Sequence, residues 1–243
     1  MAQIIAVASG KGGVGKSTFA AGLSAALSNM GKRVLSVDCD TGMRNLDLVL
    51  GLEGMGVYTL HDILTGDKAP EEVVIHHDNY KNLDFIPASV YFDDAAINTD
   101  NMRAFLGLVS GYDFVILDCG AGISRIHGVI AKLCSTLILI VTPEYTSIRD
   151  ADRAAQVLAA SRMRLVINRV DPSLIKSGGF SNIDEIIDAT SIQLLGIIPE
   201  DDLVRSYVNS CHPVCSEKDN AGRAISNIAR RLNGEHVTLY KFW

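Results

Sequence analysis

Eight residues near the start of the chain, Gly10-Lys11-Gly12-Gly13-Val14-Gly15-Lys16-Ser17, follow the pattern G-x-x-x-x-G-K-[ST]. Their setting constrains the fold further. An apolar run, Ile4–Ala8, leads into the loop, and a helix is expected from Lys16 to about Met30. A strand that turns through glycines into a helix aims backbone N–H groups, and the positive end of the helix, at one point in space. A phosphate group suits that point. At ordinary glycine usage the pattern alone arises in roughly 1% of chains of this length, and the strand–loop–helix context makes coincidence rarer still.

The rest of the chain repeats the same rhythm. Apolar runs expected to be strands are Arg33–Asp38, Phe114–Asp118, Thr136–Thr142, Leu165–Asn168 and Gln193–Ile198, with Leu83–Pro87 a weaker one. They are continuously apolar, as parallel strands buried on both faces are. Helical stretches lie between them, and the last runs from Ala221 to Leu232. This βαβ alternation predicts a three-layer α/β P-loop NTPase fold, with a predominantly parallel sheet and helices on both faces. Residues 1–243 are expected to form one domain, since no repeat, low-complexity tract or linker interrupts them.

Composition narrows the setting. Hydrophobic residues make up 48% and charged residues 21%, and the net charge is −6. An acidic chain has no overall pull toward nucleic acid, so DNA binding would need a local basic patch and is not expected. The first apolar run is only a strand long and lacks a basic leader, so it does not read as a signal peptide. No apolar run reaches the roughly 18 residues that span a bilayer. Five scattered cysteines suit free thiols in a reducing cytosol. Cys211 and Cys215 enclose His212, but no second pair completes four zinc ligands. His76 and His77 fall in a polar loop and read as solvated, and Arg223, Arg230 and Arg231 as one solvated helix face.

Each residue type in the loop has a chemical reason. Gly10, Gly12, Gly13 and Gly15, with Val14, let the backbone ring the phosphates of ATP. Lys16 is placed to bridge the β- and γ-phosphates, Ser17 to offer its hydroxyl to Mg²⁺, and Thr18 to lie at the α-phosphate. Three carboxylates follow strand ends: Asp38 and Asp40 after the second strand, and Asp118 at the end of Phe114–Asp118. Ligands of open α/β sheets sit beyond the carboxyl ends of the strands, so all three acids are expected to face the loop. Asp118 is assigned to Mg²⁺ through water, Asp38 to support of the metal shell, and Asp40 to orienting the attacking water. Cys39 and Cys119, beside these acids, read as small strand-end fillers.

Lys11 goes beyond an ordinary phosphate loop. The run Lys-Gly-Gly-Val-Gly-Lys-Ser resembles the deviant Walker A signature of the MinD/ParA family. The likeness continues through Asp38-Cys39-Asp40-Thr41-Gly42-Met43-Arg44-Asn45-Leu46-Asp47 and through Asp118-Cys119-Gly120-Ala121-Gly122-Ile123, where the family usually has proline at the place of Gly120. It extends to Pro143–Arg153, to Ile167-Asn168-Arg169, and to Gly196-Ile197-Ile198-Pro199-Glu200-Asp201. The resemblance implies an ATP-dependent homodimer in which Lys11 reaches the partner's phosphates. It implies that Asn168 and Arg169 edge the adenine, that Asn168 reads the base, and that Pro199, Glu200 and Asp201 close over it.

It further implies a weak, dimer-activated ATPase that places the division septum. Its expected partners are a MinC-like inhibitor, a MinE-like activator and the inner face of the cell membrane. A partition or flagellar-number ATPase of the same superfamily is the alternative reading. An electron-transfer ATPase would need paired cysteines that are not where that family's fall, and a binding-only scaffold sits poorly with Lys11, Lys16, Asp40 and Asp118 together. The end of the chain departs from the family. Residues Val237–Trp243 are apolar and aromatic but short, with one lysine. That favours packing on the body over an amphipathic lipid grip, which needs area and positive charge.

Overall fold

A computed structural model describes residues 2–40, 44–89, 95–171, 173 and 183–239. Eight strands form one sheet in the order β3-β4-β2-β5-β1-β6-β7-β8. They are β1 (Gln3–Ser9), β2 (Val34–Cys39), β3 (Ile75–His76), β4 (Leu83–Ile86), β5 (Phe114–Ala121), β6 (Thr136–Val141), β7 (Met163–Val170) and β8 (Leu194–Pro199). All neighbours are parallel except β3, which runs antiparallel to β4 at the edge. The continuously apolar runs are the parallel strands, as expected. The two-residue β3 is too short to leave a pattern in the sequence.

Alternation along the strands sends side chains to two cores. Ala6, Leu35, Val37, Val115, Leu117 and Leu139 face one, and Ile5, Val7, Val34, Phe114, Ile116 and Ile138 face the other. The first core is covered by α3 (Leu60–Thr65), α5 (Thr99–Leu108), α6 (Arg125–Leu133), α7 (Tyr145–Leu158) and α8 (Ile183–Thr190). The second is covered by α1 (Lys16–Asn29), α2 (Leu46–Leu50) and α10 (Asn220–Leu232). The short helices α4 (Pro70–Val73) and α9 (Leu203–Asn209) complete the described set. The result is the three-layer α/β arrangement read from the sequence. Helix α1 is buried almost all round because it lies between the sheet and α10. Small residues make that possible: Ser24 turns its hydroxyl back to the Ala20 carbonyl at 2.8 Å and meets Ser36 of β2 at 3.2 Å.

Two sequence expectations are corrected here. His77 is buried rather than solvated. Its Nε2 lies 2.9 Å from the Leu50 carbonyl, and its ring packs edge-on against Tyr80. Its exposed neighbour His76 belongs to β3 and pairs with Asp84 at 2.6 Å. Arg231 is likewise no solvated surface residue. Its guanidinium donates to the carbonyls of Leu195, Val237 and Thr238 at 2.9, 2.9 and 2.6 Å. It thereby ties the chain after α10 to β8. Tyr240–Trp243 lie outside the described residues, as do Thr41, Gly42 and Met43. No helix among the described residues is long and apolar enough to cross a membrane.

Candidate functional site

Strand β1 lies between β5 and β6, and the glycine loop leaves its carboxyl end to enter α1. Close approach dictates two of the glycines. A Cβ on Gly10 would overlap the Asp150 carbonyl of α7. Gly15 caps α1 at φ +92°, and a Cβ there would come within 2.5 Å of Asn168 Nδ2. The loop is therefore held between α7 on one side and the end of β7 on the other.

Three charged side chains meet under the loop. Strands β2 and β5 are in register at Asp38 and Asp118, so the two carboxylates stand side by side, each only 1% exposed. Lys16 is 9% exposed, with Nζ 4.0 Å from Asp118 Oδ1. Burial pushes the Asp118 carboxyl up to about 6, against the pull of Lys16 and the Ser17 hydroxyl. Burial, with Asp118 alongside, pushes Asp38 up to about 8. Asp38 is nonetheless well bonded: Oδ1 accepts the Asp40 backbone N–H at 2.9 Å and Oδ2 that of Leu46 at 3.4 Å. It fastens the start of α2 and the segment carrying Asp40 to the floor of the site.

Asp118 Oδ1 is different, because it is buried and accepts no hydrogen bond. Such an atom costs about 1–3 kcal/mol or more unless something occupies the space before it. No group of three or more His, Cys, Asp or Glu among the described residues could hold a metal by itself. The donors Ser17 and Asp118 beside a phosphate loop instead fit Mg²⁺, which takes one or two protein oxygens and completes its shell with water and substrate phosphates.

Lys11 stands at the mouth. Its Nζ lies 2.8 Å from Glu144 Oε2 and 3.2 Å from Thr146 Oγ1, where α7 begins, and both members of the ion pair are exposed. An exposed pair of this kind is worth about 0–1 kcal/mol, so it can be exchanged for a stronger partner. Glu144 and Thr146 lie in a stretch that resembles the family, yet nothing in their spacing from Lys11 reveals the contact; only the approach of the loop after β1 to α7 does.

On the β7–β8 side is a cleft of about 110 Å³ with an apolar lining that includes Phe19, Ile198, Val204 and Val214. Thr18, Asn168, Arg169, Pro199, Glu200 and Asp201 edge it, which brings the residues expected at the base together at one place. Asn168 Nδ2 donates to the Val14 carbonyl at 2.8 Å, joining the cleft to the phosphate loop. Arg169 sits at φ +57°, a conformation seldom adopted by an arginine, at a register shift between β7 and β8. Asp201 does a job the sequence did not disclose. Its carboxylate accepts from the backbone N–H groups of Leu203, Asn220 and Ala221, at 3.0, 3.2 and 3.3 Å, and so caps α9 and α10 together.

The CobQ/CobB/MinD/ParA nucleotide binding domain matches residues 5–214. The septum site-determining protein MinD of Synechocystis is 36% identical over 100% of this chain and 93% of its own length. Among solved structures, the MinC:MinD cell division protein complex of Aquifex aeolicus superposes with a TM-score of 0.90 at 34% identity, covering 100% of both chains. MinD of Pyrococcus horikoshii, complexed with Mg-ADP, gives 0.83 at 30% identity over 96% of each chain. With the family model matched over most of its length and relatives above 30% identity over all of it, this chain belongs to the MinD/ParA family of nucleotide-binding proteins.

Proposed function

We propose that this chain is a MinD-like ATPase that works as a dimerisation switch in placing the division septum. The observation that carries the reading is the pair of lysines around one loop. Lys16 is buried on the floor beside Asp118, and Lys11 is held at the mouth by an exchangeable surface pair. In this reading Lys16 binds the β- and γ-phosphates of ATP, while Ser17 and Asp118 hold Mg²⁺, with Asp38 bracing the shell. When bound, Mg²⁺ neutralises charge on the phosphate oxygens. Asp40 orients the attacking water. Lys11 leaves Glu144 and reaches the triphosphate of a second copy, offsetting charge that develops in the transition state. Asn168, Arg169 and the Pro199–Asp201 turn hold the adenine.

The names of the relatives supply the biological setting. One is solved as a MinC:MinD complex and another is called septum site-determining. A MinC-like partner is accordingly proposed for the dimer, together with a MinE-like activator and a peripheral place at the membrane. Of the two readings of residues 237–243, packing on the body is favoured, since Arg231 holds Val237 and Thr238, and contact with lipid is the alternative. The test is mass measurement in solution with Mg-ATP and with Mg-ADP, alongside hydrolysis at a series of protein concentrations. ATP should give a dimer, specific activity should rise with concentration, and Lys11→Ala should lose the activation by about a hundredfold or more, as removal of a charge-offsetting finger does. Activity that is independent of concentration and survives Lys11→Ala would sink the reading. Sedimentation with anionic vesicles, with and without residues 237–243, decides the membrane part.

A further inference from the structure

His127 is 2% exposed on α6, among the apolar residues Ile126, Val129, Ile130 and Ala131. Both of its nitrogens are committed. Nε2 lies 2.8 Å from the Gly120 carbonyl, which can only accept, so Nε2 carries the proton. Nδ1 is then the acceptor, taking the Ser124 backbone N–H at 3.2 Å, with the Ser124 hydroxyl 2.7 Å away. Capping of α6 accounts for the Nδ1 side. It does not account for the bond to Gly120, seven residues back on β5, and packing alone would call for no polar ring in this place.

Gly120 connects the ring to the reaction. It is two residues past Asp118 on β5, as Asp40 is two residues past Asp38 on β2, and the strands are in register at Asp38↔Asp118 and Cys39↔Cys119. A Cβ on Gly120 would lie 2.9 Å from Asp40 Oδ1 and 3.2 Å from its Cγ. The Asp40 carboxylate thus rests against the α-carbon of Gly120, while the carbonyl of the same residue is held by His127. The imidazole, kept neutral by burial, also lies within electrostatic reach of both Lys16 and Asp40.

We propose that His127 is a positioning residue for hydrolysis: by gripping the Gly120 carbonyl it fixes the backbone on which Asp40 rests, and so the placement of Asp40 over the phosphate loop. The proposal rests on the role given to Asp40 above. Rearrangement of the segment after Asp118 would pass directly to α6 through this one hydrogen bond.

Steady-state hydrolysis by the full chain tests it with His127→Ala and His127→Gln, whose amide can still donate to Gly120. His127→Ala should lower kcat by roughly tenfold or more while KM for ATP stays within about twofold, because misplacing a group costs rate rather than ground-state binding. His127→Gln should recover most of the loss. If the alanine variant does not fold, His127→Leu fills the volume without a donor and takes its place. Equal losses in the donor and non-donor variants, a loss confined to KM, or no loss would overturn the proposal. A second measurement does not depend on turnover. The ring nitrogens of His127, followed by NMR in the unaltered chain, should report the Nε2–H tautomer and shift when Mg²⁺ and a nonhydrolysable ATP analogue saturate the site. Unchanged resonances at saturation would also overturn it. A chain that binds the analogue but never hydrolyses ATP would instead count against the ATPase reading, leaving the ring's response to decide whether His127 senses the site.

Discussion

The two ends of the nucleotide site are built on opposite principles. Beneath the phosphate loop, Asp38, Asp118 and Lys16 are packed together out of water, and one carboxylate oxygen has no hydrogen bond. At the β7–β8 cleft apolar and polar side chains share the lining, and two of the polar ones are bonded within the protein: Asn168 with Val14, and Asp201 with two helix starts. The phosphate end stores unfavourable electrostatics that a charged ligand can relieve. The cleft proposed for the base is lined in part by side chains already bonded within the protein. Binding energy specific to charge should therefore concentrate at the first, and contributions to folding at the second.

The largest test of this contrast is Lys16→Ala. It removes a buried cation from the floor and should lower kcat/KM for ATP by roughly a hundredfold or more. It should also raise the Asp118 carboxyl further, because Lys16, with the Ser17 hydroxyl, pulls it down against burial. A loss of only a few fold would mean that the base cleft carries the affinity.

Asp38 offers a second test, through pH. Its folded carboxyl sits at about 8 and that of Asp118 at about 6, both above the ordinary 3.8. The folded chain holds these protons more tightly than the unfolded one does, so stability measured without Mg²⁺ and nucleotide should fall as pH rises from about 4 to about 8. Asp38→Asn should flatten much of that decline and raise Tm at pH 8 while impairing hydrolysis. A decline equally steep in the variant would remove the stored electrostatics from the account.

The smallest effect belongs to the other end. Asp201→Ala should cost about 1–2 kcal/mol of stability through the loss of its caps, with KM for ATP nearly unchanged. A large rise in KM with no change in Tm would instead make closure over the base, proposed for Pro199, Glu200 and Asp201, the main role of Asp201.

Much of this was legible in the chain, for reasons that can be named. The parallel strands betray themselves because burial on both faces demands unbroken apolar runs. The phosphate loop shows because only glycines admit the backbone so close to α7 and β7. Register pairing was out of reach, since nothing local says that Asp38 and Asp118 stop at the same level. His77, Arg231 and His127 were misjudged or overlooked for a related reason: the partners that satisfy them are 27, 36 and 7 residues away.

From the order of its residues alone, then, came the layered architecture, the loop that receives phosphate and the family, because each rests on short-range pattern: alternation, spacing and glycine placement. Folding in three dimensions decided the rest. It determined that Lys11 leans on Glu144, that Asp201 serves two helices, and that Gly120 is gripped by an imidazole on one side and touched by Asp40 on the other. Those are encounters between distant segments, and an electrostatic or hydrogen-bonded contact acts over a few ångströms of space irrespective of the length of chain between its members.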